Sequence, residues 1–124
     1  MRVYFPTNRA GLRSLLAGGT GPAGAGYAVT PSLRGWFGPG DDEEYEHAAS
    51  FRAAERAAPL GVPIFVLPVD VPDSWLTDVG SPDDPGAVVV AGSIRLSWVA
   101  AILTGDDGDS LAWYGVQEAD ELLG

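Results

Sequence analysis

The sequence contains no cysteine, no lysine, a single histidine and no long apolar run. Without cysteine, the chain has no thiol for redox catalysis, no thiolate ligand for a metal and no iron–sulfur ligation. No segment approaches the ~20 consecutive apolar residues of a membrane span. Pro6, Asn8 and Arg9 interrupt the short apolar run at the N-terminus, which is unlike a secretory signal. These absences predict a cytoplasmic protein that does not enter a membrane.

Acidic residues dominate the charge, since 17 Asp and Glu outnumber 7 arginines and give a formal net charge of −10. Phosphate backbones are bound by clustered cations, so nucleic acid is not expected as a partner. The excess of acid has two interpretations. It keeps a small protein soluble, or it forms an acidic face that binds a basic protein or mimics nucleic acid.

The length of 124 residues predicts a single domain over residues 1–124, with a core that includes Leu15, Phe65, Ile102 and Trp113. The elements expected in the first half are a strand over residues 2–5, a helix capped by Thr7, a strand over residues 27–30, a short helix over residues 31–37 and a helix from Asp41 or Asp42 to about Ala58. The glycine-rich residues 18–26 are interpreted as a loop. They match neither phosphate-binding glycine pattern, so no phosphate site is predicted there.

The second half is expected to be mostly β-structure. Its elements are a strand over residues 63–72, a polar loop over 73–86, a strand over 87–96, a β-hairpin over 98–116 with Asp107 and Gly108 in its turn, and a helical turn over 116–123. Pro68 removes a backbone donor from the first of these strands, which predicts an edge position or a bulge. Consecutive strands joined by turns favour antiparallel pairing. The predicted fold class is therefore α+β: a single two-layer domain with a largely antiparallel sheet, a C-terminal β-hairpin and helices packed on one face.

The stretch WFGPGDDEEYEHAASF holds the only histidine and five carboxylates within six positions. Exposed acids in the first turn of a helix are each stabilised by about 0.3–1 kcal/mol, because the helix dipole favours negative charge there. His47 follows Glu43 by four residues, a spacing that allows a modest ion pair. The pattern lacks the second histidine of a zinc hydrolase, and no nucleophile motif accompanies it. No catalytic, metal or cofactor site is therefore predicted, and the acids are interpreted as ordinary helix-start residues. Glu43, His47 and Arg34 are the candidates for the alternative of a catalytic role.

The four tryptophans are many for a chain of this size. Filling the core is the first explanation, because each indole buries a large area. Trp36 and Trp75 lie in loop-rich contexts, where a tryptophan can instead line a pocket or a protein interface. The candidate interface residues are Trp36, Phe37, Tyr45, Phe51 and Trp75.

Several stretches of the sequence resemble a known family. The resemblance is carried by RVYFPTNRAGLRSLLAGG, YAVTPSLRGWF, GDDEEYEHAASFRAA, VDVPD and LAWYGVQEADELL. These are similar to landmarks of a family of short acidic actinobacterial proteins that share a domain of unknown function. The similarity is strongest in residues 1–58. It implies a bacterial cytoplasmic origin, and it transfers no catalytic or binding residue, because the family has no known activity.

The sequence leaves three functional hypotheses open. The first is an acidic module without catalytic activity that binds another protein or associates with itself as a homodimer. The second is a small enzyme that acts on a nucleotide or another small molecule in a cleft near Arg34 and His47. The third is an inhibitor or immunity protein that presents an acidic face to a basic target.

Overall fold

The computed structural model describes residues 1–18 and 24–123. Its strands are β1 (Arg2–Thr7), β2 (Ala25–Tyr27), β3 (Ile64–Asp70), β4 (Leu76–Asp78), β5 (Ala87–Val90), β6 (Ile102–Gly105) and β7 (Ala112–Tyr114). Its helices are α1 (Arg9–Leu16), α2 (Pro31–Phe37), α3 (Asp42–Ala57) and α4 (Ala119–Leu123). Most of the glycine-rich tract predicted as a loop lies outside the described residues, and its last two positions belong to β2.

The seven described strands form one open sheet in the order β4-β5-β2-β1-β3-β6-β7. Every pair of neighbours in that order runs antiparallel. Strands β6 and β7 are the two arms of a hairpin, in which Leu103 lies opposite Trp113. The predicted α+β class, the antiparallel sheet and the C-terminal hairpin are therefore confirmed.

Both faces of the sheet are covered. Val3 and Phe5 belong to one apolar cluster and Tyr4 to another, because successive side chains of a strand point to opposite faces. Helices α2 and α3 pack on the Tyr4 face, whereas Leu12 and Leu15 of α1 pack on the Val3 face, together with α4. The prediction of helices on one face thus holds for α2 and α3 but not for α1 and α4. The reason is that β3 is apolar and buried on both of its faces, so each face needs cover.

Helix α3 approaches the sheet closely because the side of the helix that faces the sheet is built of small residues. The buried positions of the helix are Tyr45, Ala48, Ala49, Ala53, Ala54 and Ala57.

None of the described helices combines the length and the apolar character of a membrane span.

The helix caps are local and mostly follow the sequence signals. Asp41 caps α3 and Thr30 caps α2, each by accepting a hydrogen bond from a backbone amide of the first turn. The predicted Thr7 cap of α1 is wrong, because Thr7 still belongs to β1, where it lies opposite Phe65. Asn8 takes the role instead, and its Oδ1 accepts a hydrogen bond from the Gly11 amide at 2.9 Å.

Pro68 does not place its strand at the edge of the sheet, since β3 lies between β1 and β6. The alternative prediction of a bulge agrees with the register. Val66 lies opposite Leu103 and Val69 lies opposite Val99, so one extra residue is accommodated on the β6 side. The Pro68 carbonyl accepts a hydrogen bond on that same side, at 2.8 Å. The missing N–H of the proline therefore faces the irregular pairing and costs β1 no ladder hydrogen bond.

Three strand predictions are corrected. The polar loop expected over residues 73–86 contains β4, in which Leu76 lies opposite Val90. The Leu-Thr-Asp segment does not indicate a strand, because an edge strand with mostly exposed side chains carries no apolar alternation. The strand expected over residues 27–30 ends at residue 27, because Thr30 is already the cap of α2. The strand expected over residues 87–96 ends at Val90.

Candidate binding groove

A groove of about 600 Å³ lies between the N-terminal half of α3 and the part of the sheet that the helix leaves uncovered. Three lining residues come from the sheet: Tyr4 from β1, Leu103 from β6 and Trp113 from β7. The remaining lining residues come from the end of α2 and from α3 with its cap: Phe37, Asp41, Glu43, Glu44, Glu46, His47 and Ser50.

The strand register brings the sheet residues of the groove to one face. Leu103 and Trp113 are directly opposite each other in the hairpin, so their side chains point to the same side. On the other side of β6, Leu103 lies opposite Val66 of β3. Leu103, Val66 and Tyr4 all belong to the apolar cluster beneath α3. The groove therefore lies on the same face of the sheet as α3, over strands that the helix does not cover.

The acids at the start of α3 divide into two groups. Asp41 and Glu44 form a reciprocal capping box: the Glu44 amide donates to Asp41 Oδ1 at 2.8 Å, and the Asp41 amide donates to Glu44 Oε1 at 3.3 Å. This geometry supports the interpretation of these two acids as helix-start residues. Glu43 and Glu46 take no part in the cap, and both line the groove beside His47.

Tyr4 fixes the position of Glu46. Its phenol donates a hydrogen bond of 2.7 Å to Glu46 Oε2. Burial of the ring, followed by this bond to a carboxylate, raises the pKa of Tyr4 well above its ordinary value. The phenol therefore stays protonated at neutral pH and keeps donating, so the Glu46 carboxylate is held against the floor of the groove.

The catalytic candidates are only partly brought together. Glu43 and His47 both line the groove, and the His47 side chain is exposed. Arg34 is not one of the lining residues, and its guanidinium lies over the Tyr45 ring, 4.6 Å from the centroid. Among the residues that the structure describes, no three histidine or carboxylate side chains are grouped closely enough to hold a metal ion.

The candidate interface residues fall on two sides of the molecule. Trp36 is 51% exposed and Phe37 is 39% exposed, and the Phe37 ring meets Tyr45 edge-on at 5.6 Å. Tyr45 itself is buried, and Phe51 is half-buried on the same helix. Trp75 belongs instead to the cluster on the opposite face of the sheet, where it packs edge-to-face against another tryptophan.

Trp113 was expected in the core, and that prediction is wrong. Its side chain is 61% exposed and lines the groove. The hairpin could have indicated this, because the alternation in Ala-Trp-Tyr places Trp113 on the face opposite to its two neighbours. Tyr4 is a second residue of the sheet that lines the groove. Its contact with Glu46 depends on how the helix lies on the sheet.

Two arginines of α3 lie close to an acid outside the groove. Arg52 donates to Asp84 Oδ1 at 2.7 Å, and the Tyr27 phenol donates to the same oxygen at 2.8 Å. Arg56 donates to the Tyr27 oxygen at 2.8 Å, which completes a network between α3, β2 and the turn before β5. Burial and the hydrogen bond to Asp84 raise the pKa of Tyr27. By contrast, the described lining of the groove contains four carboxylates and no arginine.

The fold and the groove together define a small α+β domain with an acidic groove that aromatic residues also line. The chain belongs to DUF6912, a family of unknown function whose model matches residues 1–109. This confirms the resemblance to a family without known activity. No curated protein and no solved structure matches the chain.

Proposed function

We propose that this protein is a non-catalytic protein-interaction module in the cytoplasm of an actinobacterium. Its groove between α3 and β7 would bind a basic segment of a partner protein. The observation that carries the proposal is the combination found in that groove: an indole that is 61% exposed beside four carboxylates with no arginine among the described lining residues.

The charge of the groove favours a cationic ligand. Two opposite charges about 4 Å apart near a protein surface attract each other by ~4 kcal/mol before desolvation is counted. Carboxylates along the walls of a concave surface also add their fields, which concentrates cations at the groove. The formal net charge of −10 acts in the same direction over longer distances.

The aromatic residues favour a protein ligand that carries arginine or lysine. A cation placed over an indole gains about 0.5–2 kcal/mol, depending on how far it is desolvated. Trp113 and Phe37 also offer exposed apolar area, and tryptophan is enriched among residues that dominate binding energy at protein interfaces. The groove thus combines electrostatic attraction with an apolar surface.

The lining of the groove argues against the enzyme hypothesis and is compatible with the inhibitor hypothesis. The carboxylates of the groove would repel the phosphates of a nucleotide, and Arg34 stacks on Tyr45 outside the groove, so nothing there supports a nucleotide-processing enzyme. An inhibitor or immunity protein that acts on a basic target would use the same binding surface. Self-association through Trp36 and Phe37 is a third arrangement, which a mass measurement in solution distinguishes.

The proposal is tested by capture of partners with matched variants. Wild-type protein, the double variant Glu43→Arg with Trp113→Ala, and the control Asp83→Arg with Leu60→Ala are immobilised and exposed to a cell extract. Asp83 and Leu60 are exposed and do not line the groove, and the control makes the same change in charge and also truncates one exposed apolar side chain. Captured proteins are identified by mass spectrometry at low salt and at about 0.5 M salt.

The expected result is a basic partner that wild type and control retain at low salt, and that both the groove variant and high salt release. Circular dichroism on all three proteins checks that they are folded. Equal capture by the groove variant and the control would contradict the proposal. A partner that is captured only through a phosphate-bearing ligand would contradict it as well.

A further inference from the structure

Strand β7 ends the sheet, and we infer that the basic partner segment binds as an additional β-strand along its free edge. This inference rests on the proposed function of the groove and specifies how the ligand lies. The position of β7 in the strand order leaves it paired with β6 alone among the described strands.

The edge of β7 is open for pairing. Alternate residues of an edge strand direct their N–H and C=O groups away from the sheet, where they can hydrogen-bond to another strand. In the described part of the chain, no turn or loop hydrogen bond uses the backbone of Ala112, Trp113 or Tyr114. Natural proteins usually protect such an edge with charged residues, proline or a covering segment. β7 contains neither a charged residue nor a proline.

The opposite edge of the sheet differs. Strand β4 carries Asp78, whose carboxylate accepts a hydrogen bond from the Gly80 amide at 2.9 Å. A charged residue within an edge strand discourages pairing with another chain. Of the two edges of the described sheet, that of β7 is therefore the one suited to accept a strand.

An added strand would bring its side chains next to the groove. Directly opposite residues on neighbouring strands have their Cβ atoms about 5 Å apart and on the same face. An arginine or lysine opposite Trp113 would lie beside the indole, with its aliphatic stem against the ring. Its charged end would then extend over β7 toward Glu43 and the Glu46 carboxylate that Tyr4 holds in place.

The charges beyond both ends of β7 also select a basic segment. The turn that leads into the strand contains three aspartates, and the helical turn that follows contains Glu118, Asp120 and Glu121. A second copy of this chain would bring the same acids and a net charge of −10 against them. Charge complementarity therefore favours a basic partner over a homodimer at this edge.

Synthetic peptides test the mode of binding. The first is a short peptide that alternates arginine and valine, so that an extended conformation places all arginines on one face. The second has the same sequence but N-methylated central amides, which keep the charge and cannot donate ladder hydrogen bonds. Both are titrated by calorimetry into wild type, Glu43→Arg and the matched control Asp83→Arg. Amide hydrogen exchange of Ala112–Tyr114 is recorded with and without peptide.

The expected result is that the unmethylated peptide binds wild type at least about tenfold more tightly than the methylated peptide, and slows exchange along β7. Glu43→Arg should weaken its binding several-fold relative to Asp83→Arg. Equal affinity of the two peptides, with both still sensitive to Glu43→Arg, would overturn strand addition and leave the groove function standing. Peptide binding that responds equally to the two substitutions, or is absent, would overturn both. A dimer that dissociates on Trp113→Ala would assign the edge to a second copy and also overturn the inference.

Discussion

The phenol of Tyr4 and the carboxylate of Glu46 are 2.7 Å apart, and this hydrogen bond joins the central strand β1 to helix α3 at the floor of the groove. Both partners are at least half-buried, so the bond is protected from competition with water. It links the stability of the fold to the arrangement of the proposed binding surface. Changing either residue should therefore alter both properties.

Tyr4→Phe should destabilise the protein and flatten its alkaline pH dependence. Losing a hydrogen bond to a charged acceptor costs about 1.5–3 kcal/mol. Because folding raises the pKa of Tyr4, its contribution is fully present below the ordinary tyrosine pKa of about 10 and is lost as pH rises through the folded pKa.

Urea unfolding from neutral pH to strongly alkaline pH measures this effect. Wild type should lose stability progressively above about pH 10, and Tyr4→Phe should lose less over the same interval. Tyr27 also has a raised pKa, so Tyr27→Phe serves as the comparison and should show the same direction. Identical pH profiles for wild type and Tyr4→Phe would contradict the assignment.

Arg52→Ala should be among the more destabilising substitutions of a charged residue. The Arg52 side chain is only 13% exposed, it bonds Asp84 at 2.7 Å and it lies over the Tyr27 ring. Removing it leaves a half-buried carboxylate with less compensation, and we expect a loss of about 2 kcal/mol. Arg13→Ala, on the exposed side of α1, removes only an exposed hydrogen bond to the Leu123 carbonyl and should cost about 0.5 kcal/mol in the same thermal denaturation experiment. A similar cost for both would show that the network contributes little.

Two glycines should respond in opposite directions to alanine. A Cβ at Gly26 would lie 2.7 Å from Val3 Cγ1 and 3.0 Å from the Tyr4 carbonyl oxygen, so β1 would have to shift, at a cost of about 1–3 kcal/mol. Gly35, within α2, has open space around it, and alanine there should stabilise by about 0.5–1 kcal/mol. Chemical denaturation of both variants measures the sign of the change in the free energy of unfolding. A stabilised Gly26→Ala would contradict the packing of β2 against β1.

Trp113 and Trp75 lie on opposite faces of the sheet, and their alanine variants should differ in stability and in peptide binding. Trp113→Ala should change stability by no more than about 0.5 kcal/mol, since most of the indole is in solvent, while peptide binding is lost. Trp75→Ala should cost about 2 kcal/mol or more, because that ring packs against Trp98 at 5.1 Å and against the apolar cluster on the other face. Thermal denaturation and calorimetric titration of the two variants check both statements. A large stability loss for Trp113→Ala would return that residue to the core.

Local signals in the sequence predicted the parts of the fold that depend on neighbouring residues. The start of α3 follows from a cap and a first turn of acids, and the hairpin follows from two apolar runs around a glycine-containing turn. Strand β4 was missed because its exposed residues show no periodicity, and its pairing with β5 is a tertiary contact. Pro68 showed that an irregularity was present but could not distinguish an edge from an interior bulge.

Only the α3 side of the groove could be predicted from the sequence. The acids and His47 were recognised as a group, because they are consecutive on one helix. Trp113 and Tyr4 are far from them along the chain, and only the strand order brings them to the same surface. Exposure of an aromatic residue likewise depends on which face of the sheet remains uncovered, which is decided by how α3 packs.

The capping box at the start of α3 has a consequence for engineering. Asp41 and Glu44 hold the first turn, and Glu46 is bound to Tyr4, so Glu43 and His47 are the groove-lining positions of this turn that neither cap nor anchor uses. Side chains at positions 43 and 47 can accordingly be exchanged to change the proposed binding surface while the scaffold stays intact. At these two positions of α3, unlike at Glu46, the proposed ligand preference can be changed separately from foldedness.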